Sequence, residues 1–187
     1  MIENESFSKE NIADLSFQQK EFEECDFTNV SMEKVNFTDT VFTDCTFTDC
    51  DLSLANISNT AFKNVNFKNC KLLGLRFEDC NPFLLEMHFT QCILNHASFF
   101  STVLSHSSFQ NCKMHEVEFT EADLRKSKIL NCDLLDARFE RAQAAKTNFD
   151  GSYNLDIDPV INDISNATFS LDALPGLLHR YGLKITQ

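Results

Sequence analysis

The sequence predicts an all-β solenoid, a narrow four-sided coil of very short extended segments closed by a short C-terminal helical element. Three observations predict it. Large apolar residues recur every five positions along most of the chain. A mostly small residue stands two places before most of them. The residue types agree again at a spacing of twenty, which sorts the large positions into four columns. An α-helix repeats every 3.6 residues and a strand every 2, so a beat of five belongs to neither. A fixed period marks a repeat architecture.

The beat is clearest in "VFTDCTFTDCDL", residues 41 to 52. Stepping back from Phe42 it meets Phe37, Met32, Phe27, Phe22 and Phe17, with Ile12 and Phe7 as weaker early members. Forward it runs through Phe47, Leu52, Ile57, Phe62, Phe67, Leu72 and Phe77. It slips by two residues within 80–88, then resumes at Phe89 and holds to Phe149. Sixteen of the nineteen Phe lie on it, with Phe83, Phe100 and Phe169 read as outside. Residues two apart on an extended segment share a face, so each repeat points one large and one small side chain inward. The polar residues between them face water.

Twenty residues per turn follows from the columns. One reads Met32, Leu52, Leu72, Leu94, Met114, Leu134, and another reads Phe27, Phe47, Phe67, Phe89, Phe109, Ile129, Phe149. Cys50, Cys70, Cys92, Cys112 and Cys132 form a column of their own, with the slip absorbed between 70 and 92. About seven coils stacked at the ~4.8 Å strand spacing make a rod on the order of 34 Å long.

The coil is expected over residues 1–153 and a separate cap over 154–187. Asp158-Pro159 reads as an N-cap followed by proline at the first helical position, opening a short helical turn. "NATFS" has the composition of one more extended piece. Leu174, Leu177, Leu178 and Tyr181 follow the spacing of one helix face, with Pro175 near the start and Gly182 as the stop. Such an element covers the open end of a solenoid, here Phe149 and its neighbours. Further apolar residues at Leu171, Leu183 and Ile185 exceed what one capping job uses, which points to a homodimer interface made by Leu174, Leu177, Leu178 and Tyr181.

Candidate chemistry is sparse. The eight cysteines fall on the inward small position and read as buried thiols acting as small hydrophobes. No pair has the spacing of a zinc site, so neither metal nor cofactor is expected. His88, His96, His106 and His115 fall on different sides or offsets of the twenty-residue wheel and do not converge. An interior filled by Phe and Leu leaves no room for a substrate, so the chain is not expected to be an enzyme.

Net charge is −12, which argues against a nucleic-acid partner held through its phosphates. The acidic start "MIENESF" lacks a leader's basic and apolar regions, and no apolar run reaches the ~18 residues of a membrane span. The expected setting is the cytoplasm. Residues 1–51 hold 13 acidic and 3 basic groups, a net −10. Glu24 and Asp44 stack one coil apart, and Asp39, Asp44 and Asp49 wind around three successive sides. These four read either as a partner-binding acidic surface or as a solvated face that serves solubility. Because Asp49 faces out, truncating it is expected to change stability by less than ~0.5 kcal/mol.

The units "CTFTD", "VNFKN" and "ADLRK" resemble the pentapeptide repeat family over roughly residues 15 to 153. That resemblance implies a right-handed quadrilateral β-helix. In length and C-terminal ending the chain is similar to bacterial quinolone-resistance (Qnr-like) and microcin-immunity proteins. What this implies is a non-enzymatic DNA mimic that binds DNA gyrase or topoisomerase IV and protects it from a drug or toxin, with the C-terminal helix joining two copies. The chain lacks the long loops of the Qnr pattern. A structural or interaction scaffold with an unrelated partner is the other reading.

Overall fold

The computed structural model describes residues 1–10 and 15–184. Ile12 and Ile185 lie outside the described residues. The chain winds as a right-handed four-sided β-helix, with every strand and bridge pairing parallel to the one a coil away. Two adjacent sides are regular enough to form sheets of four and seven strands. The other two are held by isolated bridges such as Ser31↔Asp51 and Asn36↔Asn56. Register is twenty residues in the first coils, as in Phe22↔Phe42 and Phe27↔Phe47.

The inward pattern is the expected one. Phe22, Phe42, Phe47, Phe67, Phe89 and Phe109 are all at most 1% exposed. Their rings form a stack: Phe27 on Phe47 at 4.6 Å, Phe47 on Phe67 at 5.2 Å, Phe67 on Phe89 at 5.1 Å. Coil spacing matches the centroid separation of two offset-stacked rings, so a phenylalanine over a phenylalanine fills the column without a gap.

The small inward position also makes hydrogen bonds. Thr40, Thr60 and Thr147 donate their hydroxyls to the carbonyls of Phe17, Phe37 and Leu124 in the coil below, at 2.6–2.9 Å. Cys50, Cys70 and Cys92 point their thiols at the carbonyls of Phe27, Phe47 and Phe67. The cysteines therefore work as weak donors as well as small hydrophobes. All eight are free and buried. Burial pushes the Cys45 thiol up to about 12 and holds Cys80 well above the ordinary thiol range.

The two-residue slip is localised by its hydrogen bonds. Asn81 N–H donates to the Thr60 carbonyl in the twenty-residue register, whereas Met87 pairs with Val65, twenty-two residues back. The extra length is a bulge at 82–85, with Phe83 and Leu84 66% and 64% exposed.

The coil outlasts residue 153. Gln143 pairs with Asp163 and Asn148 with Thr168. Phe169, read from the sequence as off the beat, lies twenty residues beyond Phe149 and stacks on it at 5.1 Å. It is Phe169, and not the helix, that covers the Phe149 ring. The beat is hidden between them because Asn154 and Pro159 stand where large apolar residues are due. Asn162 fills an inward small position, its amide bonded to Phe139 O and Asp158 O and its carbonyl accepting from Ala142 N–H. Asp158 caps a single turn through Val160 N–H at 2.8 Å. The helical segment follows: a 3-10 turn at Leu171–Ala173, the α-helix Leu174–Leu178 (α1), and a second 3-10 turn at His179–Tyr181. Pro175 is in the first turn and Gly182 ends the segment at φ 59°.

Candidate partner-binding surfaces

Most corners of this coil impose the same backbone demand. The residue two places after the inward aromatic takes a left-handed conformation, for example φ 50° at Glu24, 59° at Asp39, 52° at Asp44 and 55° at Asp49. Asn, Asp and Gly tolerate that region best, and many corners carry them. All four acidic residues singled out from the sequence are corner residues, and all four are exposed. Their residue type thus has a conformational reason in addition to any electrostatic one. This revises the expectation for Asp49: an alanine there meets the left-handed penalty, so truncation costs more than an ordinary surface change.

The corners also stack. Asn59 Nδ2 donates to Asp39 Oδ1 at 2.7 Å, Asn64 Nδ2 to Asp44 Oδ1 at 2.5 Å, and Asn69 to Asp49 in the same way. Asp–Asn pairs twenty residues apart are the sequence signal for these ladders, and reading charge alone missed them. An amide donor holds a carboxylate in place without cancelling its charge. Three of the four acids are therefore oriented and still negative. Glu24 lies above the Asn4 corner and below Asp44, on the side where Glu21 and Glu23 also face out.

Further along that side the charge reverses. Lys126 and Lys146 occupy the same corner column at φ 65° and 62°. In the C-terminal half several acids take basic side chains as partners: Glu121 meets Arg141 at 2.9 Å and Asp123 meets Arg125 at 2.6 Å, while Asp133 meets the His115 ring at 2.6 Å. Arg141 and Arg125 hold the Glu121 and Asp123 carboxyls below their usual range. The unneutralised acidity is thus concentrated in the first coils.

The second candidate surface is the C-terminal segment. Gly176 lies against the chain below so closely that a Cβ there would fall 1.6 Å from Leu155 O. His179 Nδ1 meets Asp156 Oδ2 at 2.6 Å, and Arg180 Nη1 meets both oxygens of Asp158 at 2.7–2.8 Å. The Asp156 carboxylate raises the His179 pKa by hydrogen bond and charge. Leu177 is half-buried against the core, while Leu174, Leu178 and Tyr181 stay exposed together with Leu171 and Leu183. The four predicted interface residues thus divide, one facing the coil and three facing outward.

No helix among the described residues is long and apolar enough to cross a membrane. A family model for the pentapeptide repeat region matches residues 20–83 and 76–149. A trypsin-treated variant of QnrB1, a plasmid-mediated fluoroquinolone resistance protein, is similar across 100% of this chain and 98% of its own, at 16% identity and a TM-score of 0.50. HetL, a pentapeptide repeat protein of the cyanobacterium Nostoc involved in heterocyst differentiation regulation, is similar across 89% of this chain and 81% of its own, at 15% identity and a TM-score of 0.38. No curated protein sequence matches.

Proposed function

Because the chain belongs to the pentapeptide repeat family, we propose that it works by binding and not by catalysis, as a DNA mimic that engages a bacterial type II topoisomerase, DNA gyrase or topoisomerase IV, and shields it from a drug or toxin. The observation that carries this reading is the set of acidic corners on the first coils. Glu24, Asp39, Asp44 and Asp49 project from a narrow rod, and Asn59, Asn64 and Asn69 hold three of them without neutralising them. A narrow rod with regularly placed negative charge competes for a positively charged DNA channel. The fold likeness to QnrB1, a resistance protein against a drug class, supports the same direction.

In this reading two copies join through Leu174, Leu178 and Tyr181, with Leu171 and Leu183 alongside. Exposed apolar area of this extent marks an interface, and two-fold pairing is the commonest way to close one. Two rods end to end would reach roughly 70 Å at the ~4.8 Å coil spacing, with the acidic coils at the far tips.

The test is a supercoiling assay with purified gyrase, with and without a fluoroquinolone. The wild-type protein should alter supercoiling or restore it in the presence of drug. The triple variant Glu24→Lys, Asp44→Lys, Asp49→Lys should lose that effect while remaining folded, since Lys34, Lys126 and Lys146 already occupy such corners. An unchanged effect in the triple variant sinks the role of the acids. No effect of the wild type on gyrase, nor on topoisomerase IV in a decatenation assay, leaves an interaction scaffold with an unrelated partner. Light scattering should give twice 21.4 kDa, falling to one chain in Leu178→Glu.

A further inference from the structure

One edge of the rod carries opposite charges at equal distances on either side of the bulge. It is the corner column between the two sheets, where the chain turns from Glu21–Glu23 to Asp26–Thr28. From the N-terminal end the column reads Asn4, Glu24, Asp44, Asn64 and Leu84, then His106, Lys126, Lys146 and Asn166. Leu84 takes the corner conformation at φ 57°. Phe83 beside it lies over Lys63, whose ammonium is 6.0 Å from the ring centre. The bulge therefore sits on this column. It forms where Phe77–Asp79 make a 3-10 turn in place of a left-handed corner, and it also leaves a cleft beside Glu78 lined in part by Pro82 and Leu85.

Leu84 is the midpoint of the charges. Asp44 lies two coils before it and Lys126 two coils after, while Glu24 lies three before and Lys146 three after. At ~4.8 Å per coil these are ~10 Å and ~14 Å to either side. All four charged residues are exposed. Neither lysine has a partner among the described residues, although the two stack one coil apart and repel. At the midpoint Phe83 and Leu84 are exposed, with Val103 exposed one coil on. Charges that invert about an apolar centre are self-complementary under a two-fold rotation. A second copy laid antiparallel along this edge sets Lys126 against Asp44 and Lys146 against Glu24, each pair twice, with the two bulges meeting at the axis. A parallel copy would set like against like. The bulges hold the corners apart, and lysine's flexible four-carbon stem spans that gap.

We propose that this edge is a lateral self-association surface whose occupant is a second, antiparallel copy of this chain. It is separate from the end-to-end contact of the C-terminal segment and does not rest on the topoisomerase reading. Its ion pairs are exposed, so the association is weak and salt-sensitive. In dilute solution or at about 1 M NaCl, only the end-to-end contact sets the mass. Pairing covers Glu24 and Asp44 and leaves Asp39 and Asp49, on other corners, open.

The test is small-angle X-ray scattering on Leu178→Glu, which removes the end-to-end contact, over a concentration series in about 0.1 M NaCl. There the ~10 Å screening length damps repulsion between two acidic rods but spares pairs in contact. The mass should climb with concentration from 21.4 kDa toward two chains, with little growth in maximum dimension, and stay at one chain in about 1 M NaCl. In the same background Asp44→Lys and Lys126→Asp should each weaken association about tenfold or more, and the two together should restore it. Lys34 and Asp136 already stand at left-handed corners, so these variants should keep the fold. Leu84→Asn, which suits the corner conformation, should weaken association without lowering Tm. One chain at every concentration in 0.1 M NaCl, undiminished association at high salt, or a doubled maximum dimension overturns the proposal. So does wild-type association in either single swap or in Leu84→Asn, or a double swap that fails to restore it.

Discussion

Replacing Phe47 by alanine tests the coil's internal logic most directly. Phe47 is fully buried, with Phe27 stacked below it at 4.6 Å and 8°, Phe67 above it at 5.2 Å and 15°, and the edge of Phe42 at 5.3 Å. A phenylalanine buries ~150–250 Å², which at ~25 cal/mol/Å² is about 4–6 kcal/mol as an upper bound. Measured truncations of buried Phe cost ~3–5 kcal/mol, because the site relaxes only in part. We expect about 4 kcal/mol here. The rings above and below are pinned by the parallel register and have little freedom to collapse into the gap. Urea titration followed by far-UV circular dichroism measures the loss. Each coil touches only its neighbours, so a fall in m would show the N-terminal coils melting apart from the rest. Phe100→Thr, on the outward position, should stay within ~0.5 kcal/mol of wild type. A loss below about 1 kcal/mol for Phe47→Ala, or equal losses for the two variants, would refute this assignment of inside and outside.

At the corners, Asp49→Ala should cost about 1 kcal/mol in the same titration and Asp49→Asn almost nothing, because the penalty is conformational; equal effects would place it in charge. Leu54 occupies a corner at φ 57° while 54% exposed, so Leu54→Asn should raise stability by about 1 kcal/mol, and a lower Tm would show that its contact over Gly74 matters more. Gly176→Ala should detach the helical segment from Leu155 and abolish dimers in light scattering while leaving the coil's urea midpoint in place; an intact dimer contradicts that seating. His179 has its pKa raised by Asp156, so its contribution to docking is fully present below the unfolded value of ~6.5 and is lost as pH rises through the higher folded value. The amide protection factors over residues 174–184, taken relative to the base-catalysed intrinsic rates at each pH, should therefore fall between pH 6 and pH 8.5, and His179→Gln should remove that fall; a pH-independent difference in protection between the two proteins would count against the His179–Asp156 contact.

Much of this protein is legible without its structure, because a five-residue period leaves few ways to bury one large and one small side chain per repeat. Four columns at a spacing of twenty are enough to say four sides, parallel stacking, and which residues are inside. The C-terminal stop at Gly182 and the start at Pro175 follow from local backbone chemistry and are equally readable. Tertiary structure decided what depends on neighbours a coil away. The corner conformation explains why Asp39, Asp44 and Asp49 are aspartates, and their bonds to Asn59, Asn64 and Asn69 exist only because the register brings residues twenty apart together. Phe169 belongs to the Phe column although two of the three intervening beats carry Asn154 and Pro159, since hydrogen bonds and ring stacking, not sequence periodicity, hold the last coil. The cleft beside Glu78 had no sequence signal beyond the two-residue slip within 80–88, whose Pro82 and Leu85 line it. It exists because one corner became a 3-10 turn, and the choice between those two turns rests on the contacts of the coils above and below it.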